Sequence, residues 1–213
     1  MTTSSTARLT GRELRVALLA SRDLDNYTIA RRLEEADVTV ITSLLTNAAA
    51  KIGARSRSEL TRALGLALFG AELGQTELEV AVRVLAGASN RQIGVALGYN
   101  ERTISAYAGA ALMKAGVRAR AGLAARAETR GRMPLPPGGV DAVARVGCLA
   151  DDDLEVLELL AEGMEAADIA TKLKKTLPGI RNRASKLHGK LGVRSTIEAV
   201  RLYWAWRTGQ TST

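Results

Sequence analysis

Cysteine and histidine are nearly missing from this sequence; Cys148 and His188 are the single examples of each. One thiol excludes an internal disulfide and any cysteine-rich zinc site, and one imidazole argues against a histidine metal cage. Cys148 is expected to be a small buried hydrophobe, and His188 a phosphate contact or a surface residue. With one histidine there is no Ser/His/Asp set. There is also no phosphate-cradling glycine loop and no carboxylate pair in an apolar setting, so neither catalysis nor a cofactor is expected. No uncharged apolar run approaches 18 residues, which excludes a membrane span. Residues 1–8 lack the apolar core of a signal peptide, so a cytoplasmic protein is expected. No segment alternates with period two for long, which leaves little room for a sheet.

What the chain does have is positive charge and repetition. Its 213 residues carry 30 Lys and Arg against 22 Asp and Glu, a net charge of +8, which favours a polyanionic partner. One stretch of about 55 residues recurs three times. Its middle copy runs Glu77-Leu78-Glu79-Val80, Ser89-Asn90, Gln92-Ile93, Thr103-Ile104 and Lys114-Ala115-Gly116-Val117-Arg118. The first has Glu13-Leu14-Arg15-Val16, Asp25-Asn26, Ile29-Ala30, Thr39-Val40 and Lys51-Ile52-Gly53. The third has Glu155-Val156, Glu162-Gly163, Ile169-Ala170, Ile180-Arg181 and Lys190-Leu191-Gly192-Val193-Arg194. The shared isoleucine stands at 29, 93 and 169, so the copies are offset by 64 and 76 residues.

Each copy reads as four helices. In the middle one, apolar residues at helical spacing run from Gln75 to Ala86, and Gly87 stops them. Ser89 or Asn90 caps a short second helix, and Asn100 caps a third that Gly116 closes. A fourth follows over about 119–130. In the first copy Thr10 and Glu13 form a capping box. A second helix, a short turn and a longer third helix make a helix-turn-helix. The expected fold is all-α, with three tandem four-helix units at 9–70, 73–131 and 148–208 and a linker at 132–147. The apolar stretch 64–70 is expected to pack the first unit on the second. The Pro- and Gly-rich run 133–139 reads as a hinge that leaves the third unit freer, followed by a short helix over 140–146. Residues 1–8 and 209–213 are expected to fray.

These residues resemble the LuxR-type helix-turn-helix family of bacterial transcription regulators. The resemblance rests on Leu85-Ala86, Ser89-Asn90-Arg91-Gln92-Ile93 and Thr103-Ile104 in the middle copy. It rests also on Leu160-Ala161-Glu162-Gly163 and Lys190 to Arg194 in the third, and on Leu9-Thr10-Gly11-Arg12-Glu13 in the first. The first copy carries one extra residue before Lys51. The resemblance implies DNA binding by the third helix of a unit, in the major groove, and a dimer contact through the fourth. No sensor domain of the kind usual in the family is evident.

The third copy is the most plausible reader. From Asp141 to Asp168 there are nine acids and one base, and from Lys172 to Arg207 ten bases and one acid. Its third helix carries Arg181, Asn182, Arg183, Ser185, Lys186 and Lys190, preceded by Lys174 and Lys175 and followed by Arg194. Arginine forks onto guanine and asparagine onto adenine. The base-facing positions implied by the family are Arg181, Asn182 and Ser185. The alternative is a solvated basic face, and Pro178-Gly179 puts the docking angle of the helix in question. In the middle copy Arg102, Thr103, Lys114 and Arg118 are candidate phosphate contacts, while the base-facing positions Ser105, Ala106 and Gly109 reach little. In the first, Glu34, Glu35 and Asp37 repel phosphate. Its base-facing positions, read as Ile41, Thr42 and Leu45, suggest a partner contact through Ile41 and Leu45. Leu202, Trp204 and Trp206 of the last helix are either core or a dimer interface.

The leading expectation is a DNA-binding transcription regulator whose partner is double-stranded DNA, with two readers in one chain able to imitate a dimer. A protein-interaction module that binds a sigma factor, RNA polymerase or another regulator is the alternative.

Overall fold

Short polar side chains set the helix starts. In the computed structural model, which describes residues 8–130, 133–134 and 138–209, the Thr10 hydroxyl accepts from the Glu13 amide at 3.1 Å while the Glu13 carboxylate accepts from the Thr10 amide at 2.6 Å. Ser89 and Gln92 form the same reciprocal box, and the Asn100 side chain accepts from the Thr103 amide at 2.8 Å. Each cap satisfies donors that the helix itself leaves open. Gly53 and Gly192 end their helices in the left-handed conformation, at φ 75° and 71°.

The resulting elements are α1 (Gly11–Ala20), α2 (Asn26–Arg32), α3 (Val38–Ile52), a 3-10 turn (Arg57–Glu59), α4 (Leu60–Phe69), α5 (Gln75–Leu85), α6 (Asn90–Leu97) and α7 (Glu101–Lys114). They continue with α8 (Arg120–Thr129), α9 (Gly139–Val146), α10 (Asp151–Ala161), α11 (Ala166–Lys172), α12 (Leu177–Leu191) and α13 (Thr196–Arg207). The described residues are all-helical, with no strand, and none of these helices is long and apolar enough to cross a membrane. Three runs of four helices share one pattern of lengths: 10, 7, 15 and 10 residues, then 11, 8, 14 and 10, then 11, 7, 15 and 12. The extra helix α9 stands between the second and third runs.

An ionic strut recurs inside each run. Glu13, Glu77 and Asp153 sit in the first turns of α1, α5 and α10. They hold Lys51 at 2.8 Å, Lys114 at 2.6 Å and Lys190 respectively. The three lysines each precede a helix-ending glycine by two residues, so the first helix is tied to the end of the third. Burial works to raise the carboxyls of Glu13 and Glu77. The bonds from Lys51 and Lys114, with the amides of Thr10 and Gly74, outweigh it and hold both below the usual range.

Packing is of two kinds. Val16, Ala20, Ile29, Ala30, Ile41 and Leu60 form a small core belonging to α1–α4. Val80, Val84, Ile93, Ile104 and Ala108 form another belonging to α5–α7. A much larger cluster crosses all three runs. Leu64, Leu68 and Phe69 of α4 are fully buried in it, so the 64–70 stretch does seat the first run on the second. Gly65 is required there, because a Cβ would meet the Ala71 carbonyl at 2.5 Å.

At the centre, α8 lies against α4, α5, α10 and, most extensively of any helix pair, α13. Between them an ion pair is sealed from solvent. Arg201 donates from Nε to Glu128 Oε1 at 2.7 Å, with side-chain exposures of 6% and 0%. Arg201 also donates to the Pro134 carbonyl at 2.6 Å and to that of Leu85 at 3.4 Å. Arg8 reaches the other Glu128 oxygen at 3.3 Å and the Met133 carbonyl at 3.1 Å.

These contacts correct two expectations. The third run is not loosely hinged, because α13 is docked on α8, and α9 packs on α12 and α13 with Arg145 bonded to the Leu191 carbonyl at 3.1 Å. A helix-breaking sequence removes helix, but side chains elsewhere can still tie the joined parts. Residues 131–132 and 135–137, within the expected linker, lie outside the described residues, as do 1–7 and 210–213 of the expected frayed ends. Arg8, expected to fray, is anchored by Glu128.

Two outcomes follow. Arg201→Ala should cost about 3–5 kcal/mol in urea unfolding, the usual penalty for orphaning a buried charge, and a loss under 1 kcal/mol would contradict the arrangement. The depressed carboxyls of Glu13 and Glu77 contribute stability that is present above the ordinary glutamate range, near pH 4.3. It is lost as pH falls through their lower folded values. Thermal unfolding from pH 7 to 3 should therefore show a smaller acid-induced fall in the double variant Glu13→Gln with Glu77→Gln than in the parent chain.

Candidate nucleic-acid interface

Each third helix is fixed by one buried isoleucine. Ile41, Ile104 and Ile180 are at most 1% exposed. Where such a residue faces the core, the positions one, two and five residues further on point away from it. In α12 these are Arg181, Asn182 and Ser185, and in α7 Ser105, Ala106 and Gly109; all six are exposed.

The first run needs a correction. Ile41 is completely buried in its own core and Leu45 is half-buried against the same cluster, so neither is an exposed partner contact. The positions of α3 one, two and five residues beyond Ile41 are Thr42, Ser43 and Thr46, and all three are exposed. The cause is visible in the turn. Glu34, Gly98 and Lys174 hold the left-handed conformation at φ 54°, 75° and 52°, each five residues after Ile29, Ile93 and Ile169. From there to the buried isoleucine is seven residues in the first run and six in the others, so the extra residue lies before α3 rather than before Lys51. A one-residue slip rotates a helical face by about 100°.

In α12 the Pro178-Gly179 pair is absorbed into the first turn. The Thr176 hydroxyl caps the Gly179 amide at 3.2 Å, and proline loses no helical donor there. The polar residues of α12 and of the turn before it fall into two rows. The inner row faces the acidic start of α10: Arg183 bonds Asp152 at 2.9 Å and Asp153 at 3.4 Å, Lys175 bonds Asp152 at 3.3 Å, and Lys190 bonds Asp153. The hydrogen bond from Lys175, then the charges of Lys175 and Arg183, hold the Asp152 carboxyl below its usual range. The outer row is Arg181, Asn182, Ser185 and Lys186, and among the described residues these side chains have no hydrogen-bonding or ionic partner. An open cleft of about 620 Å³ runs between the rows and the α10 start, lined by Asp151, Asp152, Gly179, Asn182 and Lys186 among others. Lys174 and Arg194 are exposed.

The second run offers less. Arg102 and Arg118 are exposed, but Thr103 is half-buried and its hydroxyl bonds Asn100 at 3.0 Å, so it finishes the cap rather than reaching outward. Lys114 and Lys190, expected at phosphates, are also the lysines of the ionic struts. Their ammonium groups are already held by carboxylates.

The last helix lies inside the molecule. Leu202 is fully buried, Trp204 donates to the Ala161 carbonyl at 3.3 Å, and Trp206 packs against the central cluster. Of the two expectations for these residues, Leu202 is core, while Trp204 and Trp206 are partly buried against the same chain. Burial, then its bond to Glu158 at 2.9 Å, pushes the Tyr203 hydroxyl up to about 12. His188 shares a 3.2 Å hydrogen bond with Thr196, and Cys148 is exposed rather than buried, its thiol 3.8 Å from the Ala144 carbonyl. The junction of Glu128 with Arg201 escaped sequence reasoning. Its only signal is an acid and an arginine placed on otherwise apolar helix faces.

Comparison with known proteins bears on one part of the chain. No curated protein and no solved structure matches it. Residues 71–127, which take in α5 to α7 and most of α8, match the model of the family described as GerE, bacterial regulatory proteins, luxR family. That stretch is therefore similar to the helix-turn-helix domain of LuxR-family regulators.

Proposed function

We propose that this protein is a DNA-binding transcription regulator, built of three helix-turn-helix units of one plan, in which α12 is the base-reading helix. The family match at 71–127 supports the DNA-binding class. The repeated helix lengths and the repeated Lys–carboxylate strut support the reading as three units. The single observation that carries the choice of α12 is its outer row, where Arg181, Asn182, Ser185 and Lys186 stand exposed and unengaged on a helix whose other cations are fixed. Arg181 and Asn182 have the fork and amide chemistry that separates guanine and adenine edges. Lys186, with Lys174 and Arg194, supplies positive charge for phosphates. In the second unit Arg102 and Arg118 play that part, while Ser105 is too short to read deeply.

The alternative of a protein-interaction module loses one of its supports, the apolar face expected on the first unit's third helix, since Ile41 and Leu45 belong to the core.

The test is a shift assay with a selected duplex. Arg181→Ala with Asn182→Ala should weaken selected-site binding by about 1–3 kcal/mol per contact while leaving random-sequence binding nearly unchanged. Lys186→Ala should weaken both alike and reduce the slope of log affinity against log salt by about 1. Lys190→Ala should lower the unfolding midpoint before it changes affinity. Affinity independent of salt would remove duplex DNA as the ligand.

A further inference from the structure

The fourth helices of the second and third units, α8 and α13, are packed on each other. We propose that a single chain, rather than a pair, is the DNA-reading entity, and that the duplex it fits is bipartite and non-palindromic. This rests on the DNA-binding reading above.

The first observation is the clamp. α8 and α13 make the most extensive helix–helix contact among the described residues, and both are deeply buried: Leu123, Ala124 and Ala127 of α8 and Val200, Leu202 and Ala205 of α13 are each at most 1% exposed. At their junction the guanidinium of Arg201 and the carboxylate of Glu128 are both sealed in, and the same guanidinium takes carbonyls from Leu85 and Pro134. A buried pair of this kind is satisfied in one relative placement of the two helices, because any slide leaves a charge without its partner. The second and third units are thus parts of one body. The surface through which two chains would pair by their last helices is occupied.

The second observation is where the readers lie. α7 packs chiefly on α5 and α6, and α12 on α10, α11, α13 and α9. The fourth helices form the hub, and the outer faces of α7 and α12 are left to solvent. Two reading helices carried by one body meet DNA with a fixed separation, and the second contact becomes intramolecular once the first is made.

The third observation is that the readers differ. α12 presents Arg181, Asn182, Ser185 and Lys186, whereas α7 presents Ser105, Ala106 and Gly109 between Arg102 and the nearby Arg118. A two-fold palindrome suits two identical readers. Unlike readers suit one block of defined sequence beside a second block held mainly by phosphates.

The experiment uses the full chain. Duplexes are selected from a random pool, and the mass of the saturated complex is measured by native mass spectrometry. One chain per duplex is expected, with one strongly specified block, no inverted repeat, and protection extending over a second, weakly specified block. Inserting about 5 base pairs between the blocks turns the second block roughly half a helical turn away and should lower affinity about tenfold or more. Arg102→Ala with Arg118→Ala, checked for an unchanged melting curve, should weaken binding to the two-block duplex and spare a duplex truncated to the first block. Salt-sensitive binding of two chains to an inverted repeat would overturn the proposal while leaving DNA binding intact, as would affinity indifferent to the insertion. Absence of salt-sensitive binding to any duplex would overturn the DNA reading and this proposal together.

Discussion

The architecture depends on one carboxylate. Glu128 sits in the middle of the molecule with no exposed surface, held by Arg201 of α13 and by Arg8 ahead of α1. Moving an ion into such a place is costly unless its partners arrive in good geometry. That constraint makes the three runs of helices mutually dependent. The second run, which contains Glu128, is in the middle because its fourth helix is where the others meet.

Size explains why such a hub is needed. A unit of about 55 residues buries too little apolar surface to be comfortably stable alone. The private cores are small, made from residues such as Val16, Ile29 and Ile41 in one and Val80, Ile93 and Ile104 in the other. Most of the buried side chains instead belong to the cluster shared across runs, from Leu64 and Phe69 through Leu123 and Ala127 to Val200 and Tyr203. The outer faces of the third helices contribute nothing to that cluster, so packing does not restrict the residues they carry.

Much of this was legible because it is local. The caps at Thr10, Ser89 and Asn100 depend on residues three apart, and the stops at Gly53 and Gly192 depend on a backbone that glycine adopts freely. The face of α12 could be read because one isoleucine, Ile180, sets it and the turn before it has the ordinary length. The face of α3 could not, since the added residue lies between Glu34 and Ile41, and pattern alone gave no means to say on which side of the helix it fell. Nor could sequence tell which cations of α12 are engaged. Arg183 and Lys186 are alike in composition, and only the fold brings Asp152 to the first and not to the second. The docking of α13 on α8 was hidden for the same reason, as residues 128 and 201 have no local relation.

The distance along the chain between Glu128 and Arg201 has a consequence for biosynthesis. During translation α8 leaves the ribosome well before α13, so at roughly 5–20 residues per second there is an interval of several seconds in which an anion sits on an apolar helix face with its main counter-charge not yet made. A nascent or prematurely ended chain would display that face to the solvent.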